Sequence, residues 1–103
     1  MKIFLSVPKT VSDETRLKLL YKLENEGYTV VCPIFDGSWW SEEKMHDRGI
    51  QNCNLNIFAE TLRDISNCEA IYFEKSWKDD PICTMEHSAA EYYNMKIMFE
   101  DIE

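Results

Sequence analysis

Two short runs of strand-forming residues, Ala70-Ile71-Tyr72-Phe73 and Lys96-Ile97-Met98-Phe99, stand on either side of a single helical stretch. Neighbouring strands joined through a helix pair parallel, and the crossover is right-handed, so this unit alone directs the chain towards a parallel sheet. The first run follows the turn-like Ser66-Asn67-Cys68. Asp80 followed by Pro81 reads as an N-cap with proline at the first helical position, where its missing N–H costs nothing. The helix is expected to run to about Asn94, with Ile82, Met85, Ala89, Ala90 and Tyr93 as its apolar positions. Glu86 falls within that series, sharing a face with Ile82, Ala89, Ala90 and Tyr93. The spacing therefore turns a carboxylate inward. An unpartnered buried charge is costly, so Glu86 should be paired or should open onto a polar cleft.

The same alternation extends towards the N-terminus. Residues 2–7 form an apolar strand, and Ser12, Asp13 and Glu14 supply a cap and an acidic first turn to a helix carrying Leu17, Leu19, Leu20 and Leu23 before Gly27 ends it. A strand over 28–31 stops at Pro33. The connection over 34–54, with Gly37, Trp39, Trp40 and Gly49, is too long for a plain link and reads as a lid or cleft wall with a short helix over 41–47. From Leu55, Phe58, Ala59, Leu62 and Ile65 recur at helical spacing, with Asn54 as cap and closure at Asn67. The order β-α-β-loop-α-β-α-β predicts a single α/β domain over residues 1–103, with a four-stranded parallel sheet flanked by helices, the strand over 2–7 central, and a cleft at the carboxyl ends of the strands.

Composition narrows the function classes. A chain of 103 residues is large enough to bury roughly two thirds of its unfolded surface in one core, and has no room for a second domain. No signal-peptide pattern follows Met1-Lys2, and no apolar run approaches the ~20 residues of a membrane span. A soluble, cytoplasmic protein without a membrane partner is expected. Eleven basic against nineteen acidic residues give a net charge of -8, which opposes binding built on many phosphates and argues against a nucleic-acid partner. The four cysteines have no Cys-x-x-Cys pairing and only His46 and His87 accompany them, so reduced thiols, no structural metal and no cofactor are expected. With 45% of residues apolar or aromatic in so small a domain, a homodimer or higher homo-oligomer is expected, covering Trp39-Trp40 or the helix over 55–67.

Each candidate residue has a plain reading beside the functional one. Glu86 could be held by Lys96 or another base as a purely structural acid. Asp80 suits an N-cap as well as a site. Ser6, Lys9, Thr10 and Ser12 line the approach to the first helix, where free N–H groups and the helix dipole suit a phosphate. Trp77 is assigned to the site as a stacking surface, although aromatic residues beside a cleft are commonly core or oligomer contacts, and Trp39-Trp40 divide evenly between the two. His87 points about 100 degrees away from Glu86 around the helix and receives no catalytic role.

Three segments carry a resemblance: Lys2-Ile3-Phe4-Leu5-Ser6-Val7-Pro8; Gly27-Tyr28-Thr29-Val30-Val31-Cys32-Pro33; and Cys68-Glu69-Ala70-Ile71-Tyr72-Phe73 with Trp77 and Glu86-His87-Ser88-Ala89-Ala90-Glu91. In these the chain resembles a small bacterial and phage family related to the nucleoside 2-deoxyribosyltransferases, over nearly its whole length. The resemblance implies a flavodoxin-like sheet, an oligomer, and cleavage or exchange of the N-glycosidic bond of a nucleoside or nucleoside monophosphate by a helix glutamate. Glu86 matches that glutamate. Asp80 matches an acidic or small polar position near the base and would assist its departure, as the second carboxylate does in retaining glycosidases. Val7 and Ile82 stand where many relatives have glycines, and Phe4 where the transferases have a tyrosine. Those departures point to the alternatives, a non-catalytic module that holds a nucleotide or nucleotide-derived signal in the same cleft, or an oligomeric scaffold.

Overall fold

The computed structural model describes residues 1–32 and 46–100. Four strands, β1 (Lys2–Ser6), β2 (Thr29–Val31), β3 (Ala70–Phe73) and β4 (Lys96–Phe99), form one sheet in the order β2-β1-β3-β4. Every pairing is parallel, with Ile3 beside Val30 and Ala70, and Ile71 beside Ile97. The expected four-stranded parallel sheet, with the first strand interior, is thus the architecture observed. Helices α1 (Asp13–Asn25), α2 (Cys53–Ser66) and α3 (Pro81–Tyr92) make the crossovers, and a short 3-10 turn (Trp77–Asp79) precedes α3.

Side-chain alternation along the strands divides the core in two. Ile3, Leu5, Ala70 and Tyr72 face Leu19 and Leu23 of α1. Phe4, Ile71 and Phe73 face the other way, onto Ile65 of α2 and Ala90 of α3. Because both faces of β1 and β3 are covered, those strands read as unbroken apolar runs.

The helix boundaries follow their caps. Ser12 accepts the Thr15 N–H at the start of α1, and Gly27, at φ +98°, takes the left-handed position after its last turn. Two expectations need correction. Helix α2 begins at Cys53 and is capped by Asn52, whose side chain accepts the Leu55 N–H, so Asn54 lies inside the helix. Helix α3 ends at Tyr92, and Asn94 supplies the left-handed turn at φ 57°. Its buried line is Cys83, Glu86 and Ala90, whereas Met85 is 45% and Tyr93 78% exposed. An i, i+3, i+7 line with cysteine in place of methionine thus faces the sheet. The expected short helix over 41–47 and the Trp39-Trp40 cleft wall fall largely outside the described residues. All four cysteines are free thiols, Cys32 and Cys83 buried and Cys53 and Cys68 half-buried. No helix among the described residues is long and apolar enough to cross a membrane.

Candidate functional site

Parallel packing brings the last residue of β1 against the middle of α3. Ser6 sits on the face of the sheet that carries Phe4, so its side chain points at α3. There Ser6 Oγ donates to Glu86 Oε1 at 2.6 Å and lies 3.2 Å from Cys83 Sγ. Glu86 is 4% exposed, with this hydroxyl as its partner rather than Lys96 or Arg63; Arg63 pairs with Glu60. Asp80, at the start of α3, completes the group. Its Oδ1 accepts the N–H groups of Ile82 and Cys83, and its Oδ2 accepts the Lys9 N–H, tying the chain after β1 to the α3 cap.

The two carboxyl groups are tuned in opposite directions. Burial pushes Glu86 up to about 7, with the nearby Asp80 charge adding to the rise and the Ser6 hydrogen bond opposing it. At neutral pH Glu86 is thus shared between its neutral and ionised forms. Burial also acts to raise Asp80, but its three backbone N–H donors and the Lys9 charge outweigh that, and its carboxyl is held below the usual value. An acid so stabilised as its anion is a poor proton donor. The environment therefore gives Asp80 a structural anion's place, and leaves Glu86 as the group poised to exchange a proton near neutrality.

The remaining expected residues do not all gather here. Lys9 contributes through its backbone N–H, and its side chain is exposed. Thr10 and Ser12 are exposed or lie at the surface of the turn into α1, and the Ser12 hydroxyl is committed to Thr15. The acidic residues Asp13 and Glu14 already answer the α1 dipole, which disfavours a phosphate at that end. Trp77 belongs to an aromatic cluster with Phe73, His87 and Phe99; its ring stacks on His87 at 4.4 Å between centroids. His87 is accordingly a packing partner on a different side of α3 from Glu86.

Three participants escaped the sequence. The sequence presents Cys83 only as a reduced thiol, yet it lies 3.2 Å from the hydroxyl that serves Glu86. Arg16 is buried and reaches back from α1 to the Pro8 and Val11 carbonyls, bracing the segment after β1. Glu74, buried at the end of β3, accepts from the Ser76 hydroxyl and N–H. An apolar neighbour after Pro81 was the only available sign of Cys83, and nothing local marks Arg16 or Glu74. Depressions occur on the surface of the described residues. One of about 180 Å³ is lined by Lys18, Lys22, Glu74, Lys75 and neighbours, and one of about 280 Å³ by Trp77, Lys78, Phe99 and neighbours. Glu86 lines neither. Among the described residues no group of three or more histidine, cysteine, aspartate or glutamate side chains is placed to hold a metal.

Comparison of the chain with protein-family models, with curated proteins and with solved structures finds no match.

Proposed function

We propose that this protein cleaves or exchanges the N-glycosidic bond of a nucleoside or nucleoside monophosphate, with Glu86 as nucleophile. The observation that carries the reading is the buried Glu86 carboxylate with the Ser6 hydroxyl 2.6 Å away, at the carboxyl end of a central parallel strand, where open α/β sheets hold their ligands. The ionised Oε of Glu86 attacks the anomeric carbon. A carbon–oxygen bond forms as the bond to the base breaks, the base leaves with the electron pair and takes a proton from water, and a water molecule or second base then displaces Glu86. Asp80 does not donate that proton; it holds the start of α3 and the segment after β1 in place. Release of free base should rise with pH through about 7, as Glu86 ionises, and level off above it.

A second reading has its own support. With Asp80 committed to three backbone N–H groups, that carboxyl is not free to work as an acid, which favours a module that binds a nucleotide without turning it over. Chromatographic assay for free base from a panel of nucleosides and monophosphates separates the two. The catalytic reading expects release by the wild type and none by Glu86→Ala. Binding without release supports the module, and the same substitution then changes affinity alone. Self-association supports either reading, and the exposed Leu55 (62%) and Ile57 (41%) at the start of α2 give it an apolar surface.

A further inference from the structure

The hydroxyl that serves Glu86 has a second partner. A serine side chain has one proton to donate and two lone pairs with which to accept. The 2.6 Å contact from Ser6 Oγ to Glu86 Oε1 has the length of an O–H···O⁻ bond, so while Glu86 is ionised the Ser6 proton is engaged there. Ser6 Oγ also lies 3.2 Å from Cys83 Sγ; with the single serine proton on Glu86, the thiol is the group left to donate in that contact, S–H to Ser6 Oγ. The thiol keeps that proton throughout the ordinary pH range. Burial carries its ionisation up to about 12, opposed by Ser6 and reinforced by the charges of Glu86, Asp80 and Glu74. When Glu86 is protonated the order can reverse, its O–H donating to Ser6 Oγ and the Ser6 O–H turning to the sulfur.

The geometry points to Cys83 as a positioning residue: its thiol holds the Ser6 hydroxyl on the Glu86 carboxylate, in one reversible hydrogen-bond chain that regulates the nucleophile of the proposed reaction. Cys83 and Glu86 are three residues apart, one helical turn, so both meet Ser6 from the same face of α3. A donor that itself receives a hydrogen bond is a stronger donor, and a buried site enhances the effect. Among the described residues, the charged and titratable groups acting on this hydrogen-bond chain are Asp80 at the α3 cap, Glu74 after β3, and Lys9 after β1, which acts on Asp80. The inference rests on the proposed function for its chemical purpose, but the chain is a property of the free protein.

The test is a titration of the Glu86 side-chain carboxyl carbon by NMR in the full chain without ligand. Ser6→Ala removes the donor and should raise the midpoint by about one unit. Cys83→Ala should raise it by a few tenths of a unit, roughly the share expected from one cooperative neighbour. Cys83→Ser restores a donor and should return the midpoint to the wild-type value. In the Ser6→Ala background, Cys83→Ala should have no further effect. A wild-type midpoint in Cys83→Ala, or the same shift with and without Ser6, overturns the proposal. The unsubstituted protein gives a reading that needs no variant to fold: a thiol S–H stretching band should move with the Glu86 midpoint, and the lack of any such band also overturns it. Because no substrate is present, a coupled chain without base release removes only the glycosidic reading. Base release with an uncoupled Cys83 removes only the positioning role.

Discussion

Glu86 is a residue the fold tolerates at a cost. Its ordinary value of 4.5 rises to about 7 on folding because burial disfavours the charge. Between those values the native state binds more protons than the unfolded chain, so stability falls as pH rises from about 4.5 to about 7 and the full cost applies above. A shift of this size corresponds to about 3 kcal/mol. Glu86→Gln keeps the shape and an acceptor for Ser6 while removing the charge. It should therefore raise the thermal midpoint at pH 8 and change it little at pH 4, as read by circular-dichroism melts at the two pH values. Equal effects at both would show that Glu86 carries no such cost. A stabilising effect of Glu86→Gln at pH 8 would match the pattern of a group retained for function at a cost in stability.

At the scale of the element, α3 depends on its N-cap. Asp80 accepts two N–H groups of the helix and one from Lys9, so it joins the cap to the chain after β1. Asp80→Ala should cost on the order of 1–2 kcal/mol in urea denaturation, while Asp80→Asn, a comparable cap, should cost less. Asp80→Asn should also lower the Glu86 midpoint, because the Asp80 charge helps to raise it. The Asp80 contribution has the opposite pH sense to that of Glu86: with a depressed folded value it is present above about 3.8 and is lost as pH falls through that value and below. The face of α3 is testable too. Tyr93→Ala, at an exposed position, should change stability by no more than about 0.5 kcal/mol, whereas the apolar spacing by itself would place Tyr93 in the core.

At the scale of the whole molecule, Phe73 is both a fully buried strand residue packed on α2 and α3 and one edge of the aromatic cluster with Trp77, His87 and Phe99. Phe73→Ala should cost about 3–5 kcal/mol, a large part of the stability of a domain this size, and should collapse the denaturation transition towards the start of the curve. Light scattering at micromolar concentration checks assembly, with a mass of two or more chains expected and a monomer rejecting self-association through α2.

How much of this was legible in sequence follows from the range of the forces involved. Strand runs, the Asp80-Pro81 cap, the acidic first turn of α1 and the inward turn of Glu86 are all decided within a few residues, by backbone preference and side-chain period, and the strand-helix alternation then forces a parallel sheet. The slip from Asn54 to Asn52 and the exposure of Met85 and Tyr93 come from the same locality. Several polar residues can cap the same turn, and an apolar residue at the edge of a stripe is buried only if a neighbour is there to cover it. What Glu86 touches is another matter. Ser6 is 80 residues away and reaches it only because β1 lies beside β3 at the register pairing Ser6 with Phe73, with α3 laid across that end. That meeting, the thiol of Cys83 beside it and the opposite tuning of Asp80 and Glu86 depend on distance and burial in three dimensions, and so were decided by the tertiary structure alone.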